Sequence, residues 1–293
     1  MSRPVTLYAG MAGDTDDGRF ISSGLYRSRD GGAWEEVATT MLPAPEVRAI
    51  LSDPADPASV MIGTQSGIFH SADYGATWQR LTAPSPELAV WTLFRHPSEP
   101  ATIFAGYEPC ALYRSADNGA TWEKLQVVGS WPDITSGPEM PKRVTGIAVE
   151  PGKPDTIYIS LEIGGLLKSA DGGKSWVAMI DGVYVVEDSV DLHGVVVSPT
   201  RPKLATVTTR VGAFQSADGG RHWRKLPVPP LREKGSYCRA IVYAPDRPDT
   251  IYLGAGNDFD GDLGALFCSD DNGATWKAAI LPGPLKSTIF AVA

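Results

Sequence analysis

Cysteine is scarce in this 293-residue chain, and Cys110, Cys238 and Cys268 form an odd, scattered set. Such a set excludes a disulfide-stapled fold and supplies no metal-ligand spacing. A basic surplus is lacking too. Lys and Arg number 26 against 34 Asp and Glu, a net charge of −8, which argues against a nucleic-acid partner. No apolar run is long enough to cross a bilayer, and the start, Met1 to Thr6, holds no apolar signal core. The expectation is a soluble cytoplasmic protein with no membrane partner. No segment sustains the 3.6-residue apolar period of an amphipathic helix. Turn residues are abundant instead, with 31 Gly and 24 Pro.

What the chain does have is a phrase that it repeats. Ser71 to Trp78 reads Ser-Ala-Asp-Tyr-Gly-Ala-Thr-Trp, and Ser115 to Trp122, Ser169 to Trp176, Ser216 to Trp223 and Ser269 to Trp276 keep the pattern Ser-x-Asp-x-Gly-x-x-Trp. A sixth copy, Ser28 to Trp34, is one residue short before its Trp. Tryptophans at 34, 78, 122, 176, 223 and 276 set a period of 44 to 54 residues. A fixed period of this size marks a repeat architecture. An aspartate can fold onto nearby amides and glycine supplies a positive φ, so each phrase predicts a tight turn between strands, with the Trp as an apolar plug.

Each repeat offers four strand candidates. In the second they are Val47 to Leu51, Val60 to Gly63, Gly67 to His70 and Trp78 to Leu81. Pro-rich phrases such as Asp53 to Pro57 recur between the first two and read as turns, since proline is excluded from central strands. The phrase resembles the Asp-box of the bacterial neuraminidase repeat, which occurs in sialidases, sortilin-type receptors, some glucanases and photosystem assembly factors. The resemblance implies an all-β, six-bladed β-propeller of four-stranded antiparallel blades, forming a single domain over 1–293. The first repeat lacks an innermost strand, and Ser287 to Val292 looks like it. The C-terminal strand is therefore expected to close the first blade.

In related propellers the Asp-box and Pro-rich turns share one rim, and the remaining connections share the other. Insertions concentrate on that second set: Met11 to Ser23, Val127 to Lys142, Asp181 to Val190, Pro227 to Ser236 and Ala255 to Leu263. Long loops on a rigid scaffold are where binding sits. Aligning the inner strands gives one ring of Arg48, Trp91, Thr145, His193, Arg239 and Ser287, and two residues earlier Glu46, Ala89, Arg143, Asp191, Tyr237 and Leu285. A convergent polar and aromatic set of this kind is a site hypothesis.

Within that set Arg48, Arg143 and Arg239 suit a carboxylate or phosphate. Trp91 and Tyr237 would stack on a ligand. His193, held by Asp191, could move a proton, and Gly194 would leave room for a ligand. The expected catalytic residues are His193, Tyr237, Asp191 and Glu46, and the expected ligand-binding residues are Arg48, Trp91, Arg143 and Arg239. The function expected is recognition of a small anionic ligand, with cofactor-free turnover by hydrolysis or elimination as its extension. One alternative is a non-catalytic scaffold that binds a protein partner on the loop-rich rim. The other, implied by the resemblance, is a sialidase-type glycoside hydrolase in which Tyr237 with Glu46, Glu108 or Glu162 imitates a Tyr-Glu nucleophile pair. No Arg-Ile-Pro phrase stands near the start, only Ser2-Arg3-Pro4. Two acidic loops, around Asp16 and Asp260, offer carboxylates to a calcium ion. His70, His96 and His222 read as structural.

Overall fold

The structure is a computed structural model that describes residues 5–12, 23–37, 42–82, 84–85, 87–128, 142–179, 190–281 and 283–292. Among these the fold is all-β, with no helix, and its six antiparallel sheets are the blades of a six-bladed β-propeller. The chain divides into two compact units, Met1–Lys124 and Leu125–Ala293.

The first unit carries three sheets. The first holds only three strands, β1 (Thr6–Ala12), β2 (Ser23–Arg29) and β3 (Glu35–Glu36). The second runs β4 (Ala49–Ser52), β5 (Val60–Thr64), β6 (Gly67–Ser71) and β7 (Gln79–Arg80), and the third β8 (Ala89–Arg95), β9 (Ile103–Glu108), β10 (Ala111–Ser115) and β11 (Glu123–Leu125). The second unit repeats the plan. Its sheets are β12 (Arg143–Glu150), β13 (Lys153–Glu162), β14 (Gly165–Ser169) and β15 (Val177–Ala178); β16 (Leu192–Val197), β17 (Ala205–Thr209), β18 (Gly212–Ser216) and β19 (Arg224–Lys225); and β20 (Tyr237–Ala244), β21 (Arg247–Gly256), β22 (Gly264–Ser269) and β23 (Lys277–Ala278). The central strands β5 and β17 are buried at every residue. Both faces of such a strand are covered, so β5 reads as an apolar run, whereas β17 alternates apolar residues with buried threonines. In the second unit Tyr158, Leu166, Leu192, Val207 and Phe214 fill one inter-sheet core, and Trp223 packs on it.

The repeated phrase folds as its chemistry predicts. Ser115 Oγ accepts the Gly119 amide at 2.7 Å and donates to Asp117 Oδ1, and Asp117 accepts the amide and hydroxyl of Thr121 at 2.8 and 2.5 Å. Gly119 takes φ of +89°, and its carbonyl accepts the Trp122 indole at 3.0 Å. The copies ending in Trp78, Trp176, Trp223 and Trp276 repeat the indole bond at 2.9 to 3.2 Å. These aspartates are solvent-exposed, yet the hydroxyl bond first, with the backbone amide adding to it, brings Asp117, Asp171 and Asp271 from 3.8 to about 2. The short first copy cannot close this net. Its Ser28 Oγ donates to Gly32 O, Asp30 accepts the Val5 amide, and Trp34 remains 53 % exposed.

A second repeated contact joins neighbouring sheets. The residue before the box serine reaches the next box and donates to the carbonyl three residues after that box's serine. Arg27 bonds Tyr74 O, Lys168 Nζ bonds Gly219 O at 3.0 Å, and Gln215 Nε2 bonds Asn272 O at 2.7 Å. In the second sheet His70 bonds Ser59 instead, and in the sixth Cys268 turns to Asp270.

The C-terminal segment packs beside the sixth sheet, and the expected closure of the first blade is not shown. Val47, which leads into the second sheet, donates its amide to Met11 O and packs within 3.0 Å of where a Cβ on Gly10 would stand. Ile289 does the same to the sixth sheet, with its amide on Ala255 O and its side chain against Gly254. Residues 287–292 thus lie beside the sixth sheet. They form no strand, and a pairing with β1 is not shown among the described residues. The equivalence also corrects the alignment. Ile289 corresponds to Val47, so Phe290, not Ser287, takes the place of Arg48.

Candidate functional site

A recurring irregularity sets the site. In β8, β12, β16 and β20 the register with the neighbouring strand slips by one residue, at Trp91, Thr145, His193 and Arg239. A β-bulge re-aims a side chain and increases local twist, and it is common beside binding sites. The four bulged residues are the ones that the repeat alignment placed in one ring.

In the first unit Arg48 pairs with Glu46 and lies over the Trp91 ring, 4.8 Å from its centroid. Glu46 is therefore an ion-pair partner here, and Arg48 is largely buried. In the second unit a denser cluster gathers. Arg143 Nε is 2.9 Å from Glu162 Oε2, Arg239 Nη1 is 3.8 Å from Glu162 Oε1, and Arg210 Nε is 3.7 Å from Asp191 Oδ2. His193, whose side chain is fully buried, sets Nε2 3.6 Å from Asp191 Oδ2. Its Nδ1 donates to Cys238 O at 2.8 Å. A carbonyl can only accept, so Nδ1 carries a proton, and Nε2 faces the Asp191 carboxylate. Tyr237 lies 4.7 Å from His193 between ring centroids, followed by Phe259 at 6.4 Å and Phe290 at 5.6 Å, and Arg239 sits over Phe290.

Protonation states follow from burial and charge. Burial pulls the Asp191 carboxyl up, but the imidazole of His193 and the guanidiniums of Arg210 and Arg239 outweigh it and hold the group below its ordinary value. Burial pushes the Tyr237 phenol up to about 12, against the pull of Arg239. Several buried atoms here find no hydrogen bond: Asp191 Oδ1, His193 Nε2, Thr208 Oγ1 and Arg239 Nη1. Glu162, Asp191 and His193 bring three potential metal-ligating atoms within 4.8 Å of one another. The guanidinium contacts on both carboxylates already neutralise the charge a cation would need.

Of the expected site residues, Arg143, Asp191, His193, Tyr237 and Arg239 come together in this cluster, and Glu46, Arg48 and Trp91 come together in the first unit. Gly194 does not make room for a ligand. A Cβ there would stand 3.2 Å from Thr208 Oγ1 and 3.6 Å from Ile241, so the glycine serves a close approach of strands. Asp16 lies outside the described residues. Asp260 is exposed, in a loop tied by its own bonds, Asn257 Nδ2 to Asp262 Oδ1 at 2.9 Å and the Leu263 amide to Asn257 Oδ1 at 3.2 Å. His96 is structural as expected, its Nδ1 accepting the amides of Ser98 and Glu99. Sequence reasoning missed Arg210 and Phe259. The antiparallel register carried the signal for the partner of Arg143, since it sets Arg143 opposite Glu162. A separate concavity of about 230 Å³, lined by Val211, Lys225, Leu226 and Ser236, shares no residue with the cluster.

Residues 267–278 match the family model of the BNR/Asp-box repeat. Over 88 residues, 29 % of its length, the chain is 25 % identical to a probable oligoxyloglucan-reducing end-specific xyloglucanase of Neosartorya fischeri, and it spans 11 % of that protein. Among solved structures, a GH74 xyloglucanase from Xanthomonas campestris is similar with a TM-score of 0.60 and 18 % identity, over 83 % of this chain and 39 % of that one. The structure of YCF48 bound to a D1 peptide is similar with a TM-score of 0.58 and 18 % identity, over 88 % of this chain and 75 % of that one. At these identities the likeness concerns the fold.

Proposed function

We propose that this BNR-type propeller is a recognition module that binds a small, polar, anion-bearing ligand at the cluster of Asp191, His193 and Arg239. The observation that carries the reading is the set of buried polar atoms left without a hydrogen bond there. Each such atom costs about 1–3 kcal/mol, which a ligand that meets it recovers. Arg143, Arg210 and Arg239 gather around Glu162 and Asp191, and guanidiniums suit an anionic group on a ligand. Acid–base turnover is less well supported. A phenol at about 12 is a poor nucleophile near neutrality, and a carboxyl held low is a poor acid. Both points weigh against a sialidase-type mechanism through Tyr237.

The test is calorimetry on the full chain with acetate, lactate, glucuronate and phosphate. Arg239→Ala should weaken the binding anion by about 1.5–3 kcal/mol, the range for a charged hydrogen bond. An affinity that Arg239→Ala leaves unchanged ends the reading. A second reading, a scaffold for a protein partner, draws on the exposed rings of Phe259 and Phe290 beside the cluster and on the peptide carried by the structurally similar YCF48. It predicts that Phe259→Ala abolishes partner capture while small anions still bind.

A further inference from the structure

We infer that the anion bound at this site is an aromatic carboxylate, its ring set against Phe259 and Phe290 and its carboxylate on Arg239. The inference rests on the proposed binding of an anion-bearing ligand and specifies what the anion is attached to. Aromatic rings run outward from the cluster in one row. His193 and Tyr237 are buried at its inner end, and Phe259 and Phe290, 57 % and 45 % exposed among the described residues, stand at its outer end. The two outer rings are perpendicular, with centroids 5.6 Å apart. Such a pair forms a corner in which a third ring meets one neighbour by its face and the other by its edge. Ring quadrupoles favour both arrangements.

The corner is held in place. Phe259 lies between β21 and β22, in a loop closed by the Asn257 amide on Leu263 O at 3.0 Å. Its neighbour Asp258 pairs with Arg232 at 3.0 Å, and the Asp258 carbonyl accepts the hydroxyl of Thr288, two residues before Phe290. Polar bonds thereby fix the backbone beside both phenylalanines while their rings stay exposed. An apolar ring ordered in water adds little to stability, whereas an ordered platform lowers the entropy lost on binding. The charge comes from Arg239. Its guanidinium lies 5.5 Å from the Phe290 centroid, and its side chain keeps 12 % exposure. It is the looser of the two guanidiniums on Glu162, at 3.8 Å against 2.9 Å for Arg143. A carboxylate suits this fork, and a ring attached to it falls beside Phe290.

The test is calorimetry on the intact protein with phenylacetate, acetate, cyclohexylacetate and, as a neutral control, benzyl alcohol. Phenylacetate should bind ~10-fold more tightly than acetate, the worth of burying about 60 Å² of ring. It should also bind at least ~2-fold more tightly than cyclohexylacetate, the least that contact between rings adds beyond area. Phe259→Ala should cut the preference over acetate by at least ~2-fold and leave acetate binding unchanged, with the melting temperature checking the fold. If acetate, cyclohexylacetate or benzyl alcohol matches phenylacetate, or Phe259→Ala leaves the preference intact, the inference falls. The anion reading then stands on acetate binding that Arg239→Ala weakens. If no carboxylate binds, both fall.

Discussion

The two ends of the fifth sheet obey opposite rules. At one end Asp218 is exposed, yet it accepts the Ser216 hydroxyl, the amides of Arg221 and His222, and the His222 ring at 2.6 Å. At the other, Asp191 is mostly buried and keeps one oxygen without a hydrogen bond, next to a fully buried imidazole in the same condition. Saturation where water is free and vacancy where water is excluded is the reverse of what stability alone would select. The first end fixes a turn, and the second is where the proposed ligand would find its partners.

Breaking the C-terminal segment should give the largest effect, because it packs on the sixth sheet and brings Phe290 to the open end. Deleting Lys286 to Ala293 exposes the flank of Gly254 and Gly256. A fall in melting temperature of more than ~5 °C, with aggregation, is expected by thermal melts and light scattering. An unchanged melt would deny the segment any part in closing the first blade.

Next comes the saturated end itself. Trp223→Ala removes the plug from the core around Tyr158 and Phe214 and should cost about 3 kcal/mol by chemical denaturation. The matching change at the open end, Arg239→Met, should cost less than that, because Glu162 keeps its closer pair with Arg143 at 2.9 Å when the 3.8 Å contact to Arg239 is lost. It should remove ligand binding all the same. Equal destabilisation by the two variants would erase the distinction between the ends.

Acid should give the smallest and most diagnostic effect. Asp117, Asp171 and Asp271 sit at about 2 when folded against 3.8 ordinarily. A lowered folded value contributes stability that is present above the unfolded value and lost as pH falls through the folded one. Melting temperature should therefore hold above pH ~4 and decline toward pH ~2. Asp117→Asn should flatten part of that decline.

Much of this was legible in the sequence, for different physical reasons. The box turns could be read because each residue of the phrase has a local task, from the serine acceptor to the glycine at φ near +90°. That Trp91, His193 and Arg239 hold equivalent places in their strands could be read because the repeat fixed the alignment. The bulges could not, since a single extra residue in a strand leaves no compositional trace. The last repeat was misplaced by three residues for a related reason. With no box downstream of Ile289, nothing anchors its register. That Arg143 meets Glu162 becomes readable only once the antiparallel register is known, since the two stand opposite each other in it.

The contact from one box to the next has a bearing on how such chains change over generations. Its donor precedes the serine in one repeat and its acceptor follows the serine in the next, so a duplicated repeat brings both halves of the joint with it. Blade number can then drift by whole units without inventing new chemistry. Cys268 departs from the pattern, its thiol bonding Asp270 in its own repeat.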